Sequence, residues 1–144
     1  MPKISLLHSL FVLFSLHSVF AGDWSQFRGP TGQGHTDVKK LPLRWSATDK
    51  VVWKKELPGT AWSSPVLGGS KLFLTNAVPD GEGISLRALR VDALTGNLDW
   101  DLELFRMESA QRIHRKNSHA SPTPFLEDDR LYVHFGNQGT ACLS

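Results

Sequence analysis

Short runs of β-branched and aromatic residues, separated by turn residues at close intervals, make up most of the chain after residue 51. Runs of about four to eight residues of this kind are typical of strands, whereas an amphipathic helix needs a longer periodic window. The segment 103–112 is the one place where a helix is an alternative. The pattern predicts an all-β fold, with strands at 51–56, 63–67, 71–76, 84–91, 97–104, 121–126 and 130–135 and a last strand that starts at 140.

A tight hairpin is predicted between two of these strands, at Asp92-Ala-Leu-Thr-Gly96. The Asp92 carboxylate can accept backbone N–H groups of the turn, and Gly96 can adopt a positive φ without a Cβ clash. These two residues therefore set the geometry of the turn.

Residues 1–21 have the pattern of a secretory signal peptide: Lys3, an apolar run that ends at Phe20, and small residues before the expected cleavage between Ala21 and Gly22. A buried core helix would show amphipathic spacing, which this run lacks. A membrane anchor would need about 20 apolar residues, and histidines and serines interrupt this shorter run. We expect an exported protein, periplasmic or extracellular, with no transmembrane segment after signal removal.

Composition narrows the function further. The 144 residues suit one domain, with 22–50 as a lead-in rich in Gly, Pro and Gln before a β-domain over 51–144. The net charge is only +2 and the basic residues are scattered except for Arg112, Arg115 and Lys116, which argues against nucleic acid as a partner. Cys142 is the only cysteine, so the sequence shown encodes no intrachain disulfide, cysteine zinc cluster or Cys-x-x-Cys-His haem site.

An internal repeat indicates the architecture. Ser-Pro-Val-Leu at 64–67 and Lys-Leu-Phe-Leu at 71–74 recur as Thr-Pro-Phe-Leu at 123–126 and Arg-Leu-Tyr-Val at 130–133. Trp53 and Trp100 mark a second correspondence, each near the middle of a predicted strand. A unit of four strands in ~45 to 60 residues is a propeller blade. We expect about one and a half blades, an orphan strand at 51–56 that completes the last blade, and a chain that is the N-terminal piece of a longer ring.

The stretch from Asp92 to Trp100 resembles the Asp-x-x-Thr-Gly-x-x-x-Trp core of the pyrroloquinoline-quinone (PQQ) propeller repeat, in which the Trp docks one blade on the next. Asp-Trp-Ser-Gln-Phe-Arg-Gly-Pro at 23–30 is similar to the start of secreted bacterial PQQ-like repeat proteins. The resemblance implies a β-propeller of seven or eight four-stranded blades. Proteins with this repeat are quinoprotein dehydrogenases, the propeller lipoprotein of the outer-membrane β-barrel assembly machine, or secreted repeat proteins without known activity. The resemblance implies that only the dehydrogenases bind the cofactor.

The candidate partner-binding residues share a position at the start of a strand or on the loop before one, where a propeller displays its binding face. They are Trp62, His114, Arg115, Lys116, Asn117 and His119. A metal site at His114 and His119 is disfavoured, because that spacing places the two imidazoles together on neither a helix nor a strand. The acidic run 127–129 is predicted to be a hairpin tip, and no catalytic residue can be named.

The leading hypothesis is an exported binding or scaffold module without catalysis of its own, whose loops hold a protein, peptide or glycan. The alternative is a PQQ-dependent quinoprotein oxidoreductase, of the alcohol or sugar dehydrogenase type, that uses PQQ with calcium. A third hypothesis is an accessory protein of carbohydrate degradation, which the five tryptophans permit.

Overall fold

A computed structural model describes residues 23–144; the predicted signal peptide at 1–21 lies outside the described residues. The described part contains seven strands and one 3-10 helix. In chain order these are β1 (Val66–Gly68), β2 (Lys71–Asp80), β3 (Gly83–Asp92), β4 (Leu98–Met107), β5 (Phe125–Glu127), β6 (Arg130–His134), η1 (Gly136–Gln138) and β7 (Thr140–Leu143). Within residues 23–144 no helix has the length and apolarity needed to cross a membrane.

The strands form two antiparallel sheets, one in the order β1-β2-β3-β4 and one in the order β5-β6-β7. The prediction of an all-β fold is confirmed. The two short strands β1 and β5 begin later than predicted, directly after Pro65 and Pro124. Proline has no N–H to donate to a neighbouring strand, so neither strand includes it. The alternative assignment of a helix to 103–112 is wrong, because β4 continues to Met107 and a loop follows it.

The strand predicted at 51–56 is also wrong. This segment joins neither sheet, and Val52 is 90% exposed. A strand exists only where a neighbour completes its hydrogen bonds, and none does so within residues 23–144. Trp53 instead donates from Nε1 to the carbonyl of Ala93, 2.9 Å away, in the turn between β3 and β4.

That turn has the geometry predicted from its sequence. Asp92 Oδ1 accepts the N–H groups of Leu94 and Thr95 at 3.1 and 2.9 Å, and Gly96 has a φ of +73°. A Cβ on Gly96 would stand 2.6 Å from the Trp53 ring. Glycine therefore serves here both the backbone conformation and the close approach of the indole.

The core lies between the two sheets. Ala77, Leu86 and Met107 on one face of the first sheet pack with Leu131 and Val133 of the second, and all five are buried. Because side chains alternate along a strand, the opposite face of the first sheet carries a different set. That face holds the cross-strand ion pair between Arg87 Nε and Asp101 Oδ1, at 2.6 Å.

The two sheets begin with equivalent hairpins. Leu67 pairs with Leu72 in the first, and Leu126 pairs with Leu131 in the second. These are corresponding positions of the repeat, so the repeated sequence forms a repeated structure. Residues 23–144 do not close into a ring, and the propeller stays a prediction.

The lead-in contacts both sheets. Trp24 exchanges two backbone hydrogen bonds with Leu67 of β1, at 2.8 and 2.9 Å, and the carbonyl of Ser25 accepts from the N–H of Leu126 in β5, at 2.8 Å. Asp23 Oδ1 accepts from Gly69 N at 2.8 Å. The first residues of the predicted mature chain thus link the two sheets along β1 and β5.

Candidate functional site: a groove lined by amide side chains

A groove opens at the end of the two sheets where β4 ends, β5 begins and β6 connects to β7. We name it the amide groove. Its polar lining consists of Asn117, Ser118, His119, Ser121, Asn137 and Gln138. Its apolar lining includes Leu86, Met107, Ile113, Pro122 and Phe135. The volume is about 250 Å³, slightly below the ~300 Å³ at which typical small-molecule sites begin.

The loop that carries most of the polar lining is fixed at both ends. Ala110 N donates to Glu82 O at 2.9 Å, which attaches the loop to the turn between β2 and β3. Farther along, the carbonyl of Ala120 accepts from the N–H groups of Trp62 and Ser63, at 3.1 and 3.2 Å. The loop is therefore attached both to the turn between β2 and β3 and to the segment 62–63, although it forms no strand.

Hydrogen bonds within the loop hold Asn117 in place. Asn117 Oδ1 accepts from Ser118 N at 3.0 Å and also from Ser121 Oγ. Ser118 Oγ in turn accepts from Ala120 N at 3.1 Å. Ser118 is 7% exposed and Ala120 is fully buried. Because the loop uses the amide oxygen of Asn117, its Nδ2 group is left as the donor available at the groove.

The opposite wall comes from η1, which begins at Gly136 with a φ of +59° and is followed by Gly139 with a φ of +133°. Gln138 Nε2 donates to Asn137 Oδ1 at 3.2 Å, and Asn137 Nδ2 donates to Gln111 Oε1 at 3.4 Å. The amides of this wall support one another, and Gln138 Oε1 accepts no hydrogen bond within residues 23–144.

His119 lies where the groove meets a second cavity of about 220 Å³. The two cavities share Ile113, Asn117, Ser118 and His119. His119 is half-buried, and neither ring nitrogen has a hydrogen-bond partner in the described part of the chain. A ligand that enters either cavity therefore meets the imidazole.

The structure separates the six residues predicted to bind a partner. Asn117 and His119 line the amide groove. Trp62 is 52% exposed on the segment that pairs with Ala120, one residue from His119. His114, Arg115 and Lys116 are exposed on the same loop and line neither cavity. His114 Nδ1 accepts from Lys116 N at 3.2 Å.

Among the residues that the structure describes, no Lys, Arg, Asp or Glu side chain lines the amide groove or the second cavity. The strongly shifted pKa lies at the opposite end of the first sheet, where hydrogen bonds from Lys71 and then from Thr95 lower the pKa of Asp92 to about 2. A hydrogen bond from Ser85 likewise lowers the pKa of Glu103, on β4. The amide groove is thus a neutral site on a chain with many ion pairs.

A larger cavity of about 410 Å³ lies between the sheets nearer their other end, lined in part by Phe73, Arg90, Trp100, Leu131 and Cys142. The Arg90 guanidinium lies 5.7 Å from the centre of the Trp100 ring. Nowhere in residues 23–144 do three or more His, Cys, Asp or Glu side chains form a group that could hold a metal ion.

Comparisons with protein-family models, with curated proteins and with solved structures find no match to this chain. The resemblance to the PQQ-like repeat therefore stays a prediction that depends on the sequence motifs alone.

Sequence reasoning missed Asn137, Gln138 and Ser121, which complete the groove. A signal was present for the first two: a pair of amides between two glycines directly follows the predicted strand 130–135. Antiparallel order places that connection at the same end of the sheets as the loop that contains His119.

Proposed function

We propose that the chain belongs to an exported β-propeller repeat protein of the PQQ-like type. Its role is to bind an uncharged partner in the amide groove, without catalysis of its own. The repeat at 64–74 and 123–133, the Asp92–Trp100 motif and the pattern of residues 1–21 support the family and the export. The neutral polar lining of the groove supports the binding role.

One observation carries the proposal: the groove displays hydrogen-bonding side chains whose backbone is fixed. Asn117 and His119 are on a loop attached to the first sheet, and Gln138 is in a helical turn attached to the second. A fixed backbone loses little further entropy when a ligand binds, which favours affinity. Each hydrogen bond that a ligand makes to these side chains contributes about 0.5–1.5 kcal/mol.

The proposal is tested by NMR on the full mature chain, with the side-chain amide signals of Asn117, Asn137 and Gln138 as reporters. Neutral trisaccharides and uncharged tripeptides serve as two sets of probes. We expect saturable shifts of these amides with at least one set. The amide of Gln33, in the lead-in, is the internal control and should not move. Shifts that are equal at Gln33 and in the groove, or no shifts at all, would contradict a binding role for this site.

A further inference from the structure

The groups available in the amide groove determine the kind of ligand it suits. Asn117 offers Nδ2 as a donor, and Gln138 offers Oε1 as an acceptor. His119 offers its two ring nitrogens for hydrogen bonds to a ligand. A ligand that satisfies all of them must itself donate and accept over a short distance. A hydroxyl does both, with one donor and two acceptor positions.

The absence of Lys, Arg, Asp and Glu from the described lining of the groove also favours an uncharged ligand. This lining contains no Lys or Arg side chain to compensate an anion and no carboxylate to compensate a cation. Arg115 and Lys116 are nearby in sequence but line neither cavity. Burying an unpaired charge is far more costly than burying a neutral hydrogen-bonded group. Phosphorylated, sulfated and acidic ligands are therefore disfavoured here.

The apolar lining separates a sugar from a peptide. Peptides are commonly bound at open sheet edges, as helices in hydrophobic grooves, in grooves lined by exposed aromatic rings or by clusters of arginine. Phe135, the one aromatic residue of the lining, is only 3% exposed. Ile113, which is 39% exposed, instead presents a small aliphatic surface beside the polar groups. A pyranose ring has this same combination, an apolar C–H face and a rim of hydroxyls.

We infer that the amide groove binds a neutral sugar residue of a glycan, with its hydroxyls on Asn117, His119 and Gln138 and its ring against Ile113. This inference rests on the proposed function and specifies its ligand class. The second cavity, which shares His119 and Ile113, extends the site toward Thr60 and gives room for the next sugar of a chain. Trp62, on the segment paired with Ala120, adds an exposed aromatic residue next to this loop.

The test is a titration of the full mature chain with three probes: the trisaccharide of N-acetylglucosamine, a sulfated trisaccharide and an uncharged tripeptide. We expect the neutral sugar to bind and the other two to bind at least about tenfold more weakly, because each lost polar contact costs about fivefold and each of these probes loses more than one contact or leaves a charge unpaired. Gln138→Ala should weaken binding of the neutral sugar about fivefold. Gln33→Ala, the same change outside the groove, should leave the affinity unaltered.

A second pair of variants, at His119, tests the same binding site if Gln138→Ala disturbs the helical turn. His119→Gln retains a side chain that donates and accepts, and it should bind the neutral sugar within about twofold of the original chain, whereas His119→Ala should lose about fivefold or more. Far-UV circular dichroism verifies the fold of each variant.

The outcomes distinguish the sugar inference from the proposed binding role of the groove. If the tripeptide shifts the groove amides and the neutral sugar does not, the sugar inference is overturned and the binding role stands. If the sulfated sugar binds as tightly as the neutral one, the argument from charge is overturned. If none of the probes shifts the groove amides, both the inference and the binding role are overturned.

Discussion

Alanine in place of Gly96 puts a methyl group where the indole of Trp53 lies. Gly96 has a φ of +73°, and the new Cβ would stand 2.6 Å from the Trp53 ring. A left-handed conformation costs a residue with a Cβ roughly 1–2 kcal/mol. A displaced indole also loses its hydrogen bond to Ala93, worth about 0.5–1.5 kcal/mol, together with part of its packing. We expect Gly96→Ala to lower the free energy of unfolding by about 2–4 kcal/mol.

Gly81 provides the matched control. It has a φ of +60° in the turn between β2 and β3, and no atom lies within 4 Å of its would-be Cβ. Gly81→Ala therefore incurs only the backbone cost. The difference between the two substitutions, about 1–2 kcal/mol, measures the contact with Trp53. In a Trp53→Ala background that difference should disappear.

The assay is urea unfolding of the full chain followed by far-UV circular dichroism, because tryptophan fluorescence changes with the Trp53 substitution itself. Equal destabilisation by Gly96→Ala and Gly81→Ala in the original chain would refute the reasoning. Trp53 would then contribute nothing to the stability of the turn.

Three further predictions concern other parts of the chain. N-terminal sequencing of the exported protein should begin at Gly22, and an unprocessed start would contradict the signal peptide. The pKa of Asp92 is about 2 in the folded chain and 3.8 ordinarily, so the stability that its bond to Lys71 contributes is complete above about pH 4 and is lost as the pH falls through about 2. Asp92→Asn should therefore reduce the drop in the thermal midpoint between about pH 5 and pH 2, and an unchanged drop would contradict this role of Asp92. Trp24→Ala should cost about 2–3 kcal/mol because the half-buried ring packs on Gly29, whereas Trp45→Ala, at a residue 69% exposed, should cost under about 0.5 kcal/mol in the same urea assay.

The parts of the fold that the sequence predicted best are the local ones. The geometry of the turn at 92–96 follows from Asp92 and Gly96, and β3 is specified by apolar residues that alternate with polar ones from Ile84 to Ala88. The segment 51–56 has an equally good strand pattern, yet it joins neither sheet. Strand formation depends on a neighbour, and the neighbour is a property of the whole chain, which a local pattern cannot contain. The link that the lead-in makes between β1 and β5 was missed for the same reason.

The candidate site shows the same limit. Asn117 and His119 could be found because polar residues cluster on a loop before a strand. Gln138 could not be joined to them from the sequence, since the two walls meet only when the sheets pack. The sequence favoured Arg115 and Lys116 equally as binding residues, but the turn from His114 to Asn117 leaves them exposed and outside the lining of the amide groove.

The position of a bound sugar tests the central claim most directly. Intermolecular nuclear Overhauser effects would be recorded between the ring protons of the N-acetylglucosamine trisaccharide and the full mature chain. The account predicts contacts to the methyl groups of Ile113 and to the His119 ring, both in the lining of the amide groove. Contacts to the Trp100 ring in the larger cavity, without any to Ile113 or His119, would contradict it.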